Sequence, residues 1–200
     1  MSNLNLQIRT YSGASARPFF DDLARLRIEV FRAFPYLYEG SLEYEQRYLS
    51  TYAQSKDSLF VLAFDGDAVV GASTGMPMVG ETREVKAPFL VGGFNTDEIF
   101  YFGESILLPQ YRGLGLGVRF FEEREKHAAS LPGINYCTFC AVDRPTDHPA
   151  RPLNYVSLDD FWRKRGYSPR PDLKTTFSWQ DVGDAGETDK VMSFWIKELS

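Results

Sequence analysis

Two features of this chain could do chemistry, and both fall within residues 101–130, YFGESILLPQYRGLGLGVRFFEEREKHAAS. The first is Glu104, a lone carboxylate inside an apolar run from Ile99 to Leu108. A carboxylate in such surroundings is costly to bury without a use or a partner. Two readings stand open: a general base that takes a proton from a nucleophile, or a structural carboxylate ion-paired to an arginine such as Arg144. The second feature is the run Arg112, Gly113, Leu114, Gly115, Leu116 and Gly117, which holds three glycines in five positions. Glycine lets the main chain turn tightly and lets a ligand approach it closely. The first N–H groups of a helix lack partners and carry the positive end of its dipole. A glycine loop running into a helix is therefore suited to phosphate or pyrophosphate. The P-loop pattern GxxxxGK[ST] is absent. The dinucleotide pattern GxGxxG fails because its last glycine would fall on Val118.

The elements that must hold these residues can be read around them. The run before the loop has the aromatic and branched residues of a buried strand, and Pro109 ends it. After the loop, Val118, Phe121, Glu125 and Ala128 recur at helical spacing, with Glu122, Glu123, Arg124 and Lys126 mostly on the other face. Upstream, residues 4–11 alternate as a first strand. Pro18 opens a helix to about Ala33, and a second helix runs over residues 41–54. Their joint, residues 34–40, holds Phe34, Tyr36, Tyr38 and Glu39, which either cap the core or wall a substrate pocket. Residues 59–64 and 68–73 flank Gly66 as a hairpin. Residues 84–90 suggest a short helix broken near Pro88 and ended by Gly92 and Gly93. Residues 134–142 form the fifth strand. The proline-stiffened loop 143–152 then follows, with Asp143 and Arg144 at its start. A short helix begins at Leu158 and closes at Gly166, and residues 173–180 and 191–197 are two closing strands.

Length and composition bound the rest. Two hundred residues, 44% hydrophobic and 24% charged, suit one globular domain spanning residues 1–200. The net charge is −5, from 27 acidic and 22 basic residues, and no basic run invites nucleic acid. No apolar stretch approaches a membrane span and no secretory h-region opens the sequence, which points to the cytoplasm. Cys137 and Cys140 lie three apart in a strand-like run and so point to opposite faces, which disfavours a redox pair. His127 and His148 lack ligand company at metal spacing, so no metal is expected.

The spacing Arg112, Gly115, Gly117 is RxxGxG. Placed between a strand and a helix, it resembles the acetyl-CoA loop of the GNAT superfamily of N-acetyltransferases. The aromatic-basic-Gly-aromatic close of the short helix, Arg165, Gly166, Tyr167, is similar as well. So is the order β-α-α-β-β-β-α-β-α-β-β. The resemblance implies an α/β (α+β) fold with a mixed sheet of about seven strands flanked by about four helices. It implies acetyl transfer from acetyl-CoA, as co-substrate, to an amine by direct attack in a ternary complex. Cofactor contacts would come from Ile106, Leu107, Leu108, residues 112–117 and Asn154. A main-chain N–H near Leu107 or Leu108 would meet the thioester carbonyl. Tyr36, Tyr38, Glu39, Asp143 and Arg144 would contact the acceptor, a small molecule or peptide. Catalysis would fall to Glu104 as base and to Tyr155 as the acid that protonates the departing sulfur. The tyrosine that many of these enzymes place four residues before the helix-ending glycine is here Trp162, and indole is no usable acid. A monomer and a homodimer are both compatible with the sequence. Two other functions stay open: a non-catalytic acyl-CoA-binding module and, less favoured, a nicotinamide-dependent oxidoreductase.

Overall fold

Alternation fails in the central strands because they are buried on both faces, so they read as unbroken apolar runs. The computed structural model describes residues 4–199. In chain order the strands are β1 (Leu6–Ser12), β2 (Leu59–Asp65), β3 (Ala68–Pro77), β4 (Ile99–Leu107), β5 (Tyr136–Val142), β6 (Ser168–Gln180) and β7 (Glu187–Glu198). The helices are α1 (Phe20–Phe31), α2 (Leu42–Gln54), α3 (Arg83–Val91), α4 (Leu116–Ser130) and α5 (Asp159–Arg163). One seven-stranded sheet runs β1-β2-β3-β4-β5-β7-β6. Only β4 and β5 pair in parallel; every other neighbouring pair is antiparallel.

Period-two geometry divides the core across the sheet. Phe60 and Leu62 of β2 pack with Leu23 of α1 and Leu49 of α2, while Val61 and Ala63 pack with Phe120 and Phe121 of α4. A third cluster joins Val85 and Phe89 of α3 to Tyr101 and Phe194. The β4–β5 pairing covers only Ile99 to Tyr101 against Tyr136 to Thr138. Beyond Tyr101 no ladder joins the two strands, and the gap between them is the floor of a cleft.

The seven strands and their order follow the sequence reading, with some boundaries moved. Pro18 lies in a 3₁₀ stretch, Gly13–Phe19, and the first α-helix runs from Phe20 only to Phe31. Helix α3 does not break at Pro88, and the described residues hold five α-helices where about four were expected. A helical proline leaves the carbonyl four residues earlier without its donor. Here that carbonyl, on Glu84, accepts the Thr175 hydroxyl of β6 at 2.7 Å. The closing strands extend beyond 173–180 and 191–197. β6 begins at Ser168 and carries Pro169 and Pro171, which an edge strand tolerates. Arg124, read as solvent-facing, is 1% exposed, because Leu116, Phe120, Arg124 and Ala128 form the buried stripe of α4. Its guanidinium donates to Glu104 O at 3.0 Å, Thr74 O at 3.3 Å and Ser105 Oγ at 2.8 Å. Thr74 sits where the β3–β4 register slips, so its carbonyl needs a donor from outside the ladder. Burial pulls the Arg124 guanidinium down to about 10.

Candidate active site

The cleft has a volume of about 1780 Å³ and is lined from both sides of the β4–β5 gap. That exceeds the roughly 300–1,000 Å³ of a pocket for one small molecule and leaves room for two substrates. At one end lies the glycine loop. Gly113 and Gly115 adopt left-handed φ values of 78° and 81°, which favour glycine. A side chain at either would meet nothing within 4 Å, so the space in front of the loop is open. Gly115 caps α4, its carbonyl receiving the N–H of Val118 at 3.0 Å and of Arg119 at 3.2 Å. Among the described residues, no acceptor takes the N–H of Gly113, Leu114, Gly115, Leu116 or Gly117. Consecutive free donors at a helix N-terminus are a feature that suits a polyanion. Gly117 packs closely instead, since a Cβ there would lie 3.3 Å from the ring of Phe161, just before α5 ends.

Above the loop, Leu108 donates its N–H to Val70 O at 3.1 Å. Antiparallel pairing turns alternate residues to alternate sides. The N–H and C=O of Leu107 therefore face the gap, and Arg112 Nε reaches that carbonyl at 3.3 Å. Of the two expected main-chain donors, Leu107 is free to serve the cleft and Leu108 is spent on β3. Ile106 is fully buried against α1 and α2 and offers no side chain to the cleft. Leu116 is buried in the core, whereas Leu114 is 47% exposed.

The other end is built from charged side chains. Glu104 Oε2 accepts from Arg27 Nη1 at 2.7 Å and from the Tyr48 hydroxyl at 2.9 Å. Arg27 Nε also bonds Glu45 Oε2. The ion-pair partner of Glu104 is thus Arg27, not Arg144. Burial alone would lower the Arg27 pKa, but Glu104, Tyr48 and Glu45 together hold it well above its ordinary value. The remaining oxygens, Glu45 Oε1 and Glu104 Oε1, are buried without a partner among the described residues. Beside this cluster, the Tyr52 hydroxyl donates to Glu81 Oε1 at 2.6 Å. Sequence reasoning missed Arg27, Glu45, Tyr48, Tyr52 and Glu81. A signal existed: Arg27 lies one turn from Leu23 and from Phe31 on the inner face of α1. Glu45, Tyr48 and Tyr52 share the inner face of α2 with Leu49.

Arg144 acts as a clamp. It donates to both Asp181 oxygens, at 2.8 and 2.9 Å, to Pro35 O at 2.7 Å and to Tyr36 O at 2.8 Å. Asp181 is buried, which alone would raise its pKa, yet the bonds and charge of Arg144 leave it lowered. The clamp fixes the aromatic joint over the cleft, where Tyr36 packs on Phe31 and Trp179. Tyr38 lines the same wall, and burial beside Glu45 pushes its phenol up. Glu39 pairs at the rim with Arg32 at 2.6 Å. Asp143 lines the cleft and bonds Lys174 at 3.0 Å and Ser193 at 2.7 Å. Asn154 and Tyr155 line the side nearest α5; Tyr155 sits edge-on to Phe34, and burial raises its phenol. Trp162 is half-buried at the cleft wall, where it packs against Phe139 and Trp195.

Among the described residues, no three His, Cys, Asp or Glu side chains converge to hold a metal, and no helix is long and apolar enough to cross a membrane. No protein-family model matches the sequence, and no curated protein matches it. Solved structures do match in fold. A putative acetyltransferase from Acinetobacter baylyi ADP1 superposes with a TM-score of 0.65 at 13% identity, covering 100% of this chain and 94% of that one. A ribosomal-protein-alanine N-acetyltransferase from Brucella melitensis gives 0.61 at 14% identity, covering 96% and 99%. An acetyltransferase of the GNAT family from Streptococcus pneumoniae gives 0.59 at 14%, covering 98% and 100%. Over nearly its whole length, therefore, this chain has the fold of the GNAT acetyltransferases.

Proposed function

We propose that the protein transfers an acetyl group from acetyl-CoA to an amine acceptor within one ternary complex. The observation that carries this reading is the row of five N–H groups, Gly113 to Gly117, without an acceptor among the described residues, with open space in front of Gly113 and Gly115 at the mouth of the cleft. Such a row suits the pyrophosphate of CoA, and Arg112 beside it adds positive charge. The Leu107 N–H, turned into the gap, is placed to donate to a thioester carbonyl as charge builds on its oxygen. The acceptor enters from the side of Tyr36, Tyr38, Glu39 and Asp143. Its ammonium must lose a proton before its lone pair can attack, and the carboxylates at the charged end of the cleft, Glu104 and Glu81, draw a cationic amine inward, one of them taking that proton. Tyr155 holds its proton tightly because it is partly buried, and it returns one to the departing sulfur. The fold speaks for this chemistry by likeness only.

A panel of small amines, amino acids, peptides and polyamines, incubated with acetyl-CoA and read by free thiol and by product mass, tests the proposal. The expected result is thiol release that depends on one class of amine, with an acetylated product. CoA binding without acetylation of any acceptor would leave an acyl-CoA-binding module instead.

A further inference from the structure

Glu104 is poorly placed to take a proton: it lines the cleft, but its Oε2 already accepts from both Arg27 Nη1 and the Tyr48 hydroxyl, and its Oε1 is buried without a partner among the described residues. A second carboxylate lies in the same cleft. Glu81 follows the 3₁₀ turn Met78–Gly80 at the end of β3, and its N–H is tied to Met78 O at 2.9 Å. It is 9% exposed and lines the cleft. Among the described residues no cation lies within ion-pairing distance of it: Oε1 accepts from Tyr52 and Oε2 only from the Thr82 N–H, at 3.2 Å. A buried carboxylate with no cation is a cost to the fold and calls for a use.

The floor beside it is arranged for hydroxyls. A Cβ on Gly103 would collide with Tyr52 Oη and would lie 2.7 Å from Thr74 Oγ1 and 2.9 Å from Tyr48 Oη. Glycine next to Glu104 thus clears room for three hydroxyls between the two carboxylates. Thr74 Oγ1 has no partner among the described residues.

We propose that Glu81, acting through the Tyr52 hydroxyl, is the final acceptor of the proton that leaves the acceptor amine. The inference rests on the acetyl-transfer reading above. The ammonium gives one proton to Tyr52 Oη while the Tyr52 proton passes to Glu81 Oε1. The freed lone pair forms the C–N bond, and the C–S bond breaks with its electron pair on sulfur. Tyr155 gives its proton to that sulfur, the second N–H proton replaces the one Tyr155 gave, and Glu81 loses its own to water after release. Glu104 and Arg27 then position Tyr48 and the floor. Burial raises the Glu81 pKa above that of an ordinary carboxylate, against the lowering pull of its bonds from Tyr52 and the Thr82 N–H. The groups that bear on it are Tyr48 and Tyr52 from α2, Glu104 and Tyr101 from β4, Cys140 from β5, the Thr82 N–H, and Lys86 of α3.

The test is kcat against pH for an acetylated amine, with CoA titrations alongside, for wild type, Glu81→Gln, Glu81→Ala and Tyr52→Phe. Glu81→Gln is expected to lower kcat by about 10²–10⁴-fold with CoA affinity unchanged, and to lose the acidic limb. Formate should restore part of the rate to Glu81→Ala, which a purely structural role would not allow. An active wild type with an unchanged rate and acidic limb in Glu81→Gln would overturn the role of Glu81 alone. So would a folded Glu81→Ala indifferent to formate. Should Glu81→Gln fail to fold, Tyr52→Phe decides, because a wild-type profile there breaks the relay. A wild type that binds CoA but acetylates nothing overturns the acetyl-transfer reading, and this inference with it.

Discussion

At Gly113, Gly115 and Gly117 the cleft is walled by bare main chain, while at Arg27, Tyr48 and Glu104, with Glu45 behind them, it is walled by buried polar and charged side chains. The first wall needs no desolvated charge. It needs two left-handed glycines and a helix start. The second rests on one cation balancing two carboxylates where neither sign is stable alone. The loop should therefore lose its ligand without unfolding, and the cluster should unfold before its chemistry can be read.

The largest expected effect breaks the second wall. Arg27→Met leaves Glu45 and Glu104 buried together without a cation, which should cost about 3–5 kcal/mol of stability. Denaturant unfolding measures it, and a loss under about 1 kcal/mol would mean the cluster is not held by its ion pairs. At the first wall, Gly115→Glu puts a carboxylate among the free donors and should weaken CoA binding about a hundredfold, some 2–3 kcal/mol. The left-handed φ adds only about 1–2 kcal/mol of strain, so the variant should stay folded. Unchanged affinity in calorimetry would move the pyrophosphate elsewhere.

Smaller effects sharpen the contrast. Tyr155→Phe should lower kcat about tenfold, or 1.4 kcal/mol, with little change in melting temperature. Full turnover across pH 6 to 9 would show that thiolate leaves unaided, as a thiol pKa of about 8.5 permits. The smallest effect concerns the clamp. The Asp181 pKa is lowered in the fold, so its stabilisation is complete above the unfolded carboxylate value of about 3.9 and fades as pH falls below it. Asp181→Asn should flatten that acid dependence and loosen the joint at Tyr36. An identical slope in wild type and variant would place the acid sensitivity in other carboxylates.

The same contrast explains what could be read in advance. Glycines, Pro109 and the apolar strand lie together in the chain, so the loop and its strand–helix frame are local signals, and Gly113, Gly115 and Arg112 stand out. The carboxylate cluster is assembled from α1, α2, β4 and the turn after β3. Its members meet because α1 and α2 pack on the same face of β4, a tertiary contact between segments far apart in the chain. Glu104 was visible as a charge in an apolar run, but its partner was not: Arg144 is the nearer guess in composition, and Arg27 is the nearer atom in space. Arg124 was misread because a buried arginine looks like a surface one until the displaced Thr74 and Glu104 carbonyls that it serves are known. Helix α3 outlasted Pro88 for a similar reason, since its rescue by Thr175 comes from a strand far along the chain.

The central claim is that the main chain of residues 113–117 holds CoA. Amide-resolved NMR during a CoA titration reads those groups directly. The N–H signals of Gly113, Leu114, Gly115, Leu116 and Gly117 should shift first and furthest, saturating with the calorimetric affinity, while those of β1 stay still. CoA binding that leaves these five amides unmoved would contradict the account.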